Sequence, residues 1–353
     1  MTRQAATGVE HTVAVVVPVY RGEETLPSLV EELQPYVEAQ VSPDGTRFRV
    51  VQVILVHDAG PDASDRVIRE LARRHAHVRP VWLARNYGQH AATLAGMSST
   101  STDWIVTMDE DGQHDPAAIG AMLDTALSTR SPLVYAQPTN SPPHGPLRNG
   151  ASRVAHGAAR VLGAGDLRHF HSFRLILGEV GRGLAAYCGE GVYLDVALTW
   201  VAHRTASCPV AMREEHERPS GYSLRRLASH FWRMVLTSGT RPLRLVALFG
   251  LVLGAAAFAL MAWVVWARVT DEVPVQGWTS VMVILLAVGG GTLLSLGIVA
   301  EYLGIAARSA MGKPLYLVVS DPEEGPLGRR DAPDAAMEAQ PEQAGDPVAR
   351  APG

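Results

Sequence analysis

The chain is short of cysteine and of net charge. Its 353 residues include two cysteines, Cys188 and Cys208, which share no metal-ligand or redox spacing. Acidic residues outnumber basic ones by 35 to 31, so the basic surface of a nucleic-acid-binding protein is missing. The N-terminus also lacks the basic, apolar and small-residue succession of a signal peptide. We therefore expect reduced thiols, no nucleic-acid partner, and a cytoplasmic location for residues 1–240.

Apolar runs long enough to cross a membrane are absent from residues 1–240 and occur twice after them. Leu243–Ala267 is apolar apart from Arg244 at its start, and Trp278–Ala307 is nearly so apart from Glu301. A helix over the first run would be about 37 Å long, enough to cross the hydrocarbon core of a bilayer with some tilt. The sequence therefore predicts transmembrane helices over residues 242–268 and 278–307.

Charged residues beside these runs predict their orientation. The basic flanking residues are Arg225, Arg226, Arg233 and Arg241 before the first run with Arg244 at its start, and Arg308 and Lys313 after the second. The linker 268–277 carries one basic residue beside two acids. The positive-inside rule then puts the linker outside and both flanks in the cytoplasm. This predicts a multi-pass protein of the cell (inner or plasma) membrane whose catalytic domain and C-terminus are cytoplasmic.

The segments around the two runs differ in composition. Residues 216–241 carry an apolar helical face with arginines elsewhere, typical of a helix on the membrane surface or of one packed on the soluble domain. Residues 308–319 would be a cytoplasmic segment, and residues 320–353, rich in Pro, Ala, Glu and Asp, are expected to be disordered. The small residues Gly289-Gly290-Gly291 offer a packing surface for a homo-oligomer.

Strand and helix patterns alternate through the first part of the chain. Continuous apolar strands between helices favour an α/β domain with a mostly parallel sheet covered on both faces, over residues 12–215 after a tail at 1–11. The predicted strands are Val13–Val19, Val50–Val56, Val78–Ala84 and Trp104–Met108, and the predicted helices are Glu23–Val37, 63–75, Gln89–Ser99 and one that starts at Pro116. Asp115 would be the N-cap of that last helix.

Two carboxylates one residue apart follow the fourth predicted strand. Asp109 and Asp111 leave it at the edge where ligands of open α/β sheets bind, and their hard oxygens suit Mg²⁺ or Mn²⁺. The alternative is an acidic turn that caps the next helix. Three more polar segments end predicted strands: Pro18-Val19-Tyr20, His57-Asp58-Ala59-Gly60 and Ala84-Arg85-Asn86-Tyr87-Gly88. Together these segments suit a nucleotide diphosphate, with its base and ribose at the first strands and its phosphates at the metal.

In this order the motifs resemble those of the family 2 glycosyltransferases, and within them the polyprenyl-phosphate glycosyltransferases. Dolichol-phosphate mannose synthases and bacterial undecaprenyl-phosphate glucosyltransferases are the nearest types. The resemblance covers about residues 12 to 319. It rests on Ala84-Arg85-Asn86-Tyr87-Gly88-Gln89-His90 with Leu94-Ala95-Gly96, on Met108-Asp109-Glu110-Asp111-Gly112-Gln113-His114, on Arg218-Pro219-Ser220-Gly221-Tyr222-Ser223, on Arg241-Pro242-Leu243-Arg244 and on Glu301-Tyr302-Leu303-Gly304.

The resemblance implies a GT-A type fold followed by a two-helix transmembrane hairpin. It also implies inverting transfer of a sugar from a nucleotide-sugar to a polyprenyl phosphate such as undecaprenyl or decaprenyl phosphate. By the family pattern Asp109, Asp111 and Gln113 would hold the cation, and Asp111 and Arg218 would be the catalytic residues. Arg218 would meet phosphate on the donor or the acceptor, since an arginine fork matches phosphate oxygens. The implied substrate-binding residues are Pro18, Tyr20, Asp58, Arg85, Asp109 and Arg174.

The chain departs from the family pattern at three places. His57-Asp58 stands where Asp-Asp is usual, Arg21-Gly22 replaces Asn-Glu, and Ser172 precedes Phe173-Arg174-Leu175 where some members have Asp. Arg174 either binds phosphate or braces the fold. A phosphate monoester is largely dianionic at neutral pH, so we expect no dedicated general base. The departures keep one rival hypothesis open, a membrane-tethered scaffold that has lost turnover, while the sugar, the nucleotide and the polyprenol length stay unassigned.

Overall fold

The computed structural model describes residues 9–139, 170–189, 193–213, 241–269, 277–312 and 314–326. The strands in these ranges are β1 (His11–Val19), β2 (Gln40–Val41), β3 (Arg47–His57), β4 (Val78–Leu83), β5 (Trp104–Thr107), β6 (Leu133–Pro138), β7 (Arg174–Leu177), β8 (Thr205–Val210) and β9 (Val318–Val319). The α-helices are α1 (Leu26–Leu33), α2 (Ser64–Arg74), α3 (Gln89–Ser98), α4 (Ala118–Thr129), α5 (Gly178–Tyr187), α6 (Leu194–Val201), α7 (Arg241–Val269) and α8 (Trp278–Ala310), and a 3₁₀ helix (Gln34–Val37) follows α1.

The strands form one mixed sheet. Its order is β8-β6-β7-β5-β1-β3-β4-β9, with β2 paired to β3. β5, β1, β3 and β4 are parallel neighbours, as the alternating pattern predicts. The predicted mostly parallel sheet is a mixed one, in which β8 is parallel to β6 and β2 antiparallel to β3, while β7 runs antiparallel to both of its neighbours and β9 runs antiparallel to β4. Both β7 and β9 come from parts of the chain without a strand–helix alternation.

The alternating side chains of the central strands build an apolar core on each face of the sheet. Val13, Val15 and Val17 of β1 face one cluster, which α1, α2 and α4 complete. Val16 faces the other cluster, which α3, α5 and α6 complete. Fully burying one valine side chain stabilises the fold by about 1.5–3 kcal/mol, so strands buried on both faces anchor the domain strongly. The expected coverage of both faces is confirmed.

The start of α4 differs from the prediction. The helix begins at Ala118, not at Pro116, because Pro116 and Ala117 form a turn before it. The Asp115 Oδ1 accepts a hydrogen bond from the Ala117 N–H at 2.9 Å, and the Asp115 carbonyl accepts one from the Ala118 N–H at 3.1 Å. Asp115 therefore satisfies backbone donors of the entering turn, while Ala117 occupies the N-cap position.

Two long helices occupy the predicted membrane segments. Within the described residues, one stretch, Ala287–Ala307 of α8, is long and apolar enough to cross a membrane, and it is not buried by protein. The apolar stretch of α7, Val246–Leu260, is shorter. The helices pack where a Cβ on Gly291 would lie 3.2 Å from Leu253 and 3.3 Å from Phe249. This glycine, expected to serve contacts between copies, thus faces α7 of its own chain.

The segment after α8 returns to the sheet. β9 pairs with β4, and the Ala84 N–H donates to the Leu317 carbonyl at 3.0 Å. Asp321 then forms an ion pair with Arg69 of α2. The predicted disordered tail begins at Ser320, but the structure describes residues 320–326, where Asp321 and Glu323 form ion pairs with Arg69. Residues 1–8, 327–353 and nearly all of the predicted amphipathic segment 216–241 lie outside the described residues.

Candidate active site

The loop after β5 holds Asp109 with three neighbouring side chains. The Gln89 Nε2 donates to Asp109 Oδ1 at 2.6 Å, and the Ser172 hydroxyl donates to Oδ2 at 2.5 Å. The backbone N–H of Asp109 donates to Nδ1 of His114 at 2.9 Å. Both carboxylate oxygens and the backbone of this residue are therefore oriented by protein donors and acceptors. Ser172, which replaces an aspartate of the family pattern, contributes a neutral donor here instead of a second negative charge.

His114 is a part of this loop that the sequence motifs did not single out for a role. Its ring is buried and stacks on Phe173 with 4.8 Å between ring centres. Burial, reinforced by the neighbouring His171, lowers the pKa of His114 to about 3, so the ring is neutral. Since Nδ1 accepts a hydrogen bond, the proton lies on Nε2, which is 3.7 Å from Asp109 Oδ2. The ring thus braces Asp109 without adding charge.

Asp111 is the exposed carboxylate of the loop. Its Oδ1 accepts the Gln113 N–H at 3.0 Å, and Gly112 between them has a φ of +76°, which favours glycine. In the part of the chain that the structure describes, no three His, Cys, Asp or Glu side chains are grouped as a metal site. The donor set of two carboxylates and the Gln113 amide still fits Mg²⁺ or Mn²⁺, because these ions bind through one or two carboxylates plus substrate phosphates.

A cavity of about 390 Å³ opens beside this loop. Three residues of the predicted site line it, namely Pro18, Asp109 and Arg174. The other described lining residues are Gln89, His90, Thr93, Thr107, Met108, Phe170, His171, Ser172, Tyr193 and Asp195. Tyr20, Asp58, Arg85, Asp111 and Gln113 are outside this lining, and Arg218 lies outside the described residues. The structure therefore gathers part of the predicted set around one cavity.

Arg174 projects from β7 into a buried polar cluster. It is 4% exposed, its Nε donates to the His171 carbonyl at 2.9 Å, and its Nη2 lies 3.3 Å from Asp195 Oδ1. The Tyr135 hydroxyl donates to the same oxygen at 3.1 Å. Burial raises the pKa of Asp195, and the charge of Arg174 opposes that rise. Asp195 was missed in the sequence, where its only signal is a lone acid between apolar residues of a helix.

Asp58 does not present a free carboxylate. It is 2% exposed, and its two oxygens accept the backbone N–H groups of Tyr87 at 2.7 Å and Gly88 at 2.8 Å. Burial raises the pKa of Asp58, and these two hydrogen bonds oppose the rise. The residue therefore fixes the turn that precedes α3 and so positions Gln89. Arg85 is exposed in the same turn, with its guanidinium over the Tyr87 ring at 4.5 Å.

Tyr20 lies at the end of β1 and is 40% exposed. The Glu110 carboxylate, between the two aspartates of the loop, accepts the backbone N–H groups of Tyr20 at 2.9 Å and Arg21 at 3.0 Å. A Cβ on Gly60 would lie 1.9 Å from the Tyr20 carbonyl oxygen, so the loops after β1 and β3 touch. Glu110 and Gly60 join three loops at the carboxyl edge of the sheet, and the sequence motifs did not assign either residue this task.

The comparisons with known proteins bear on this site. The model of the Glycosyl transferase family 2 matches residues 14–185, which span the strands and loops just described. Residues 14–185 are a family 2 glycosyltransferase domain. The resemblance drawn from the motifs is thereby confirmed, and the chain is a glycosyltransferase with a GT-A-like mixed sheet.

Curated relatives of this glycosyltransferase match well beyond the domain. A bactoprenol glucosyl transferase of Shigella phage SfX is 24% identical over 315 residues, covering 87% of this chain and 99% of the relative. An undecaprenyl-phosphate 4-deoxy-4-formamido-L-arabinose transferase of Klebsiella pneumoniae (strain 342) is 27% identical, covering 88% of this chain and 94% of the relative. Among solved structures, glucosyl-3-phosphoglycerate synthase from Mycobacterium tuberculosis aligns with a TM-score of 0.45 at 20% identity, covering 65% of this chain and 80% of that one.

Proposed function

We propose that this glycosyltransferase moves a sugar from a nucleotide-sugar to a polyprenyl phosphate, with inversion, at the cytoplasmic face of the cell membrane. The observation that carries the proposal is the extent of the match to relatives named for bactoprenol and undecaprenyl-phosphate acceptors. One of them aligns over 315 residues, which is 87% of this chain and 99% of the relative. This alignment extends far beyond residues 14–185, which the family model matches. Both the domain and the helical region after it therefore enter the proposal.

The donor would bind at the carboxyl edge of the sheet. Asp109, Asp111 and Gln113 would hold Mg²⁺ or Mn²⁺, which neutralises charge on the departing diphosphate when it is bound. Gln89, Ser172 and His114 keep Asp109 in place for that task, and such oriented ligands bind metal better than mobile ones. Pro18, Tyr20 and Arg85 would contact the nucleotide from neighbouring loops. Asp58 would act on this site by holding the Tyr87–Gly88 turn.

The acceptor would need positioning more than deprotonation. A phosphate monoester has its second pKa near 6, so it is already an anionic nucleophile at neutral pH. Arg218 would meet phosphate on the donor or the acceptor, as an arginine fork can bind two phosphate oxygens. Holding the two substrates in line then supplies much of the rate acceleration, because it removes the entropy cost of bringing them together.

The return of the chain to the sheet supports a two-helix hairpin. β9, after α8, pairs with β4 of the catalytic domain, so residues 318–319 and the domain must lie on the same side of any membrane. If α8 crosses the bilayer through Ala287–Ala307, the chain has to cross once more, and α7 is the helix that packs against it. The basic flanks then put the domain and the returning segment in the cytoplasm.

The test measures transfer of radiolabelled sugar from a panel of UDP-, GDP- and dTDP-sugars into organic-extractable lipid. Membranes carrying the protein and undecaprenyl phosphate are assayed with and without Mg²⁺ or Mn²⁺, and with Asp111→Asn. We expect metal-dependent label for at least one donor, and a loss of about 10²-fold or more in the variant, the scale of losing a main electrostatic stabiliser. Label that persists without metal or in Asp111→Asn would contradict the assigned metal role. No label with any donor would count against the proposed acceptor. Equal nucleotide binding by the wild-type protein and by Asp111→Asn would then fit the scaffold hypothesis.

A further inference from the structure

One side chain that lines the cavity carries a buried guanidinium nitrogen without a partner among the described residues. Arg174 lines the cavity, and its Nη1 is buried without a hydrogen-bond partner among the residues that the structure describes. Its other nitrogens contact the His171 carbonyl and Asp195. Buried N–H groups of native proteins are nearly always paired, because an unpaired group has lost its hydration without compensation. Such a nitrogen on a cavity-lining side chain points to a ligand that supplies the missing acceptor.

The carboxylate of Asp195, close to this nitrogen, favours an uncharged ligand over an anionic one. Asp195 is 3% exposed, lines the same cavity and lies 3.3 Å from the Arg174 Nη2, so the two charges compensate each other. Both described contacts of Asp195, from Tyr135 and Arg174, reach Oδ1. A phosphate dianion would bring two negative charges next to a buried carboxylate. An uncharged polyol brings none, and it offers both an acceptor for Arg174 and a donor for Asp195.

The surroundings also suit a sugar ring. His90 and Tyr193 line the cavity, and their rings meet edge to face at 4.3 Å between centres. Aromatic surface of this kind packs against the apolar C–H groups of a sugar while polar groups meet its hydroxyls. Asp109 lines the same cavity, so a sugar held there would lie next to the proposed diphosphate site.

We infer that Arg174 and Asp195 form the pair that recognises the hydroxyl groups of the donor sugar. Arg174 Nη1 donates to one hydroxyl oxygen, and Asp195 accepts from a neighbouring hydroxyl. This inference rests on the proposed function, deepens it by assigning the sugar subsite, and gives Arg174 a role other than phosphate binding. A site built to hydrogen-bond a hydroxyl rejects the analogue without it strongly, since its own buried groups are then left unpaired.

The experiment compares each active UDP-, GDP- or dTDP-hexose of the transfer panel with its monodeoxy analogues and with the sugar-free nucleoside diphosphate. In the wild-type protein, removal of one particular hydroxyl should lower kcat/KM by about 10²-fold or more. The ratio of kcat/KM for the complete sugar to kcat/KM for this deoxy analogue measures the hydroxyl preference. Asp195→Asn should reduce that ratio at least tenfold while changing the Kd of the nucleoside diphosphate less than threefold. Tyr135→Phe, which removes only a hydroxyl that holds Asp195, should shrink the ratio by a smaller factor.

Because removing one charge of a buried pair can unfold a protein, the double variant Arg174→Met/Asp195→Leu removes both together. It should keep nucleoside diphosphate binding and lose the hydroxyl preference entirely. An unchanged hydroxyl preference in Asp195→Asn and in the double variant would overturn the inference, as would a rise in the KM of undecaprenyl phosphate as the main defect. A wild-type protein that neither bound nor used any nucleotide-sugar would refute the proposed function itself, a result distinguishable from both.

Discussion

The guanidinium Nε of Arg69 donates to both carboxylate oxygens of Asp321, at 3.1 and 2.8 Å, across 252 positions of the chain. Arg69 is buried on α2, contacts Asp65 at 3.0 Å and Glu323 at 2.7 Å, and lies over the Trp82 ring at 5.0 Å. The residues after the second apolar helix are thereby fastened to the catalytic domain by charge as well as by β9. The end of α8 is thereby kept close to the sheet.

Replacing Asp321 by Asn should weaken this attachment. The variant keeps the shape of the side chain but loses the charge, so the stability of the folded protein should fall by about 1–2 kcal/mol. Chemical unfolding of the detergent-solubilised protein measures the change. Glu70→Gln is the matched control. Glu70 lies on α2 beside Arg69, and its ion pair with Arg74 is well exposed and should contribute under about 0.5 kcal/mol. Equal effects of the two substitutions would show that the contact to Arg69 has no special weight.

The same contact predicts a dependence on pH. Burial acts to raise the pKa of Asp321, but the hydrogen bonds from Arg69 and from the backbone N–H groups of Glu323 and Glu324 together leave the pKa below its ordinary value of 3.8. A lowered carboxylate pKa stabilises the fold fully above the unfolded value and loses that contribution as the pH falls through the folded value. The difference in unfolding free energy between the wild-type protein and Asp321→Asn should therefore be constant from pH 7 to 5 and shrink below about pH 4. A difference that stayed constant down to pH 3 would point to packing and not to charge.

The sequence predicts the parallel centre of the fold well and its antiparallel additions poorly. β1 and β3 are long runs of β-branched residues that bury both faces, so their pattern is strong in isolation. β9 is two residues long and becomes a strand only because the edge of β4 offers unpaired backbone groups. β7 begins with a charged residue, Arg174, whose burial depends on an aspartate 21 positions later in a helix. Pairings of this kind have no local signal.

In the candidate site, too, residues with a local sequence signal were predicted and residues defined by long-range contacts were missed. Asp109 was predicted at the carboxyl edge of the sheet from the buried strand before it, and it lines the cavity there, while its metal role stays a prediction. Asp58 was predicted at the right edge of the sheet, but its task is to hold backbone N–H groups, which only the path of the loop before α3 decides. Glu110 contacts a loop 90 positions earlier, and a lone acid next to Asp109 gives no hint of that partner. The missed residues are those whose function lies in long-range contacts.

Gly60 should tolerate no side chain. A Cβ there would lie 1.9 Å from the backbone carbonyl oxygen of Tyr20, so Gly60→Ala has to push two loops of the site apart. We expect a loss of about 1–3 kcal/mol of stability and weaker nucleotide binding. Gly183→Ala is the control, because it lies inside α5 with no heavy atom within 4 Å of the added carbon, and it should stabilise the protein by up to about 1 kcal/mol. Thermal unfolding and a titration with UDP compare the two, and a neutral Gly60→Ala would contradict the close approach.

Glu110 should control the affinity for the donor without touching the acceptor. Its carboxylate accepts the backbone N–H groups of Tyr20 and Arg21, and so fixes the loop after β1 against the loop that carries Asp109 and Asp111. Glu110→Gln removes the charge and leaves one acceptor oxygen, which weakens two charge-assisted hydrogen bonds. A loss near 1.4 kcal/mol corresponds to about a tenfold rise in the KM of the nucleotide-sugar. The KM of undecaprenyl phosphate should stay within about twofold, since this loop faces the donor side of the proposed site.

The matched control for that variant is Glu31→Gln, the same change of charge at an exposed position of α1. Steady-state kinetics with each substrate varied in turn separates the two constants. If Glu31→Gln raised the donor KM as much, the effect would come from net charge and not from the loop contact. If Glu110→Gln raised both KM values together, the loop would serve the whole site. We expect a rise confined to the donor, because Glu110 accepts hydrogen bonds from the β1 loop while the two aspartates proposed to hold the metal keep their own hydrogen bonds.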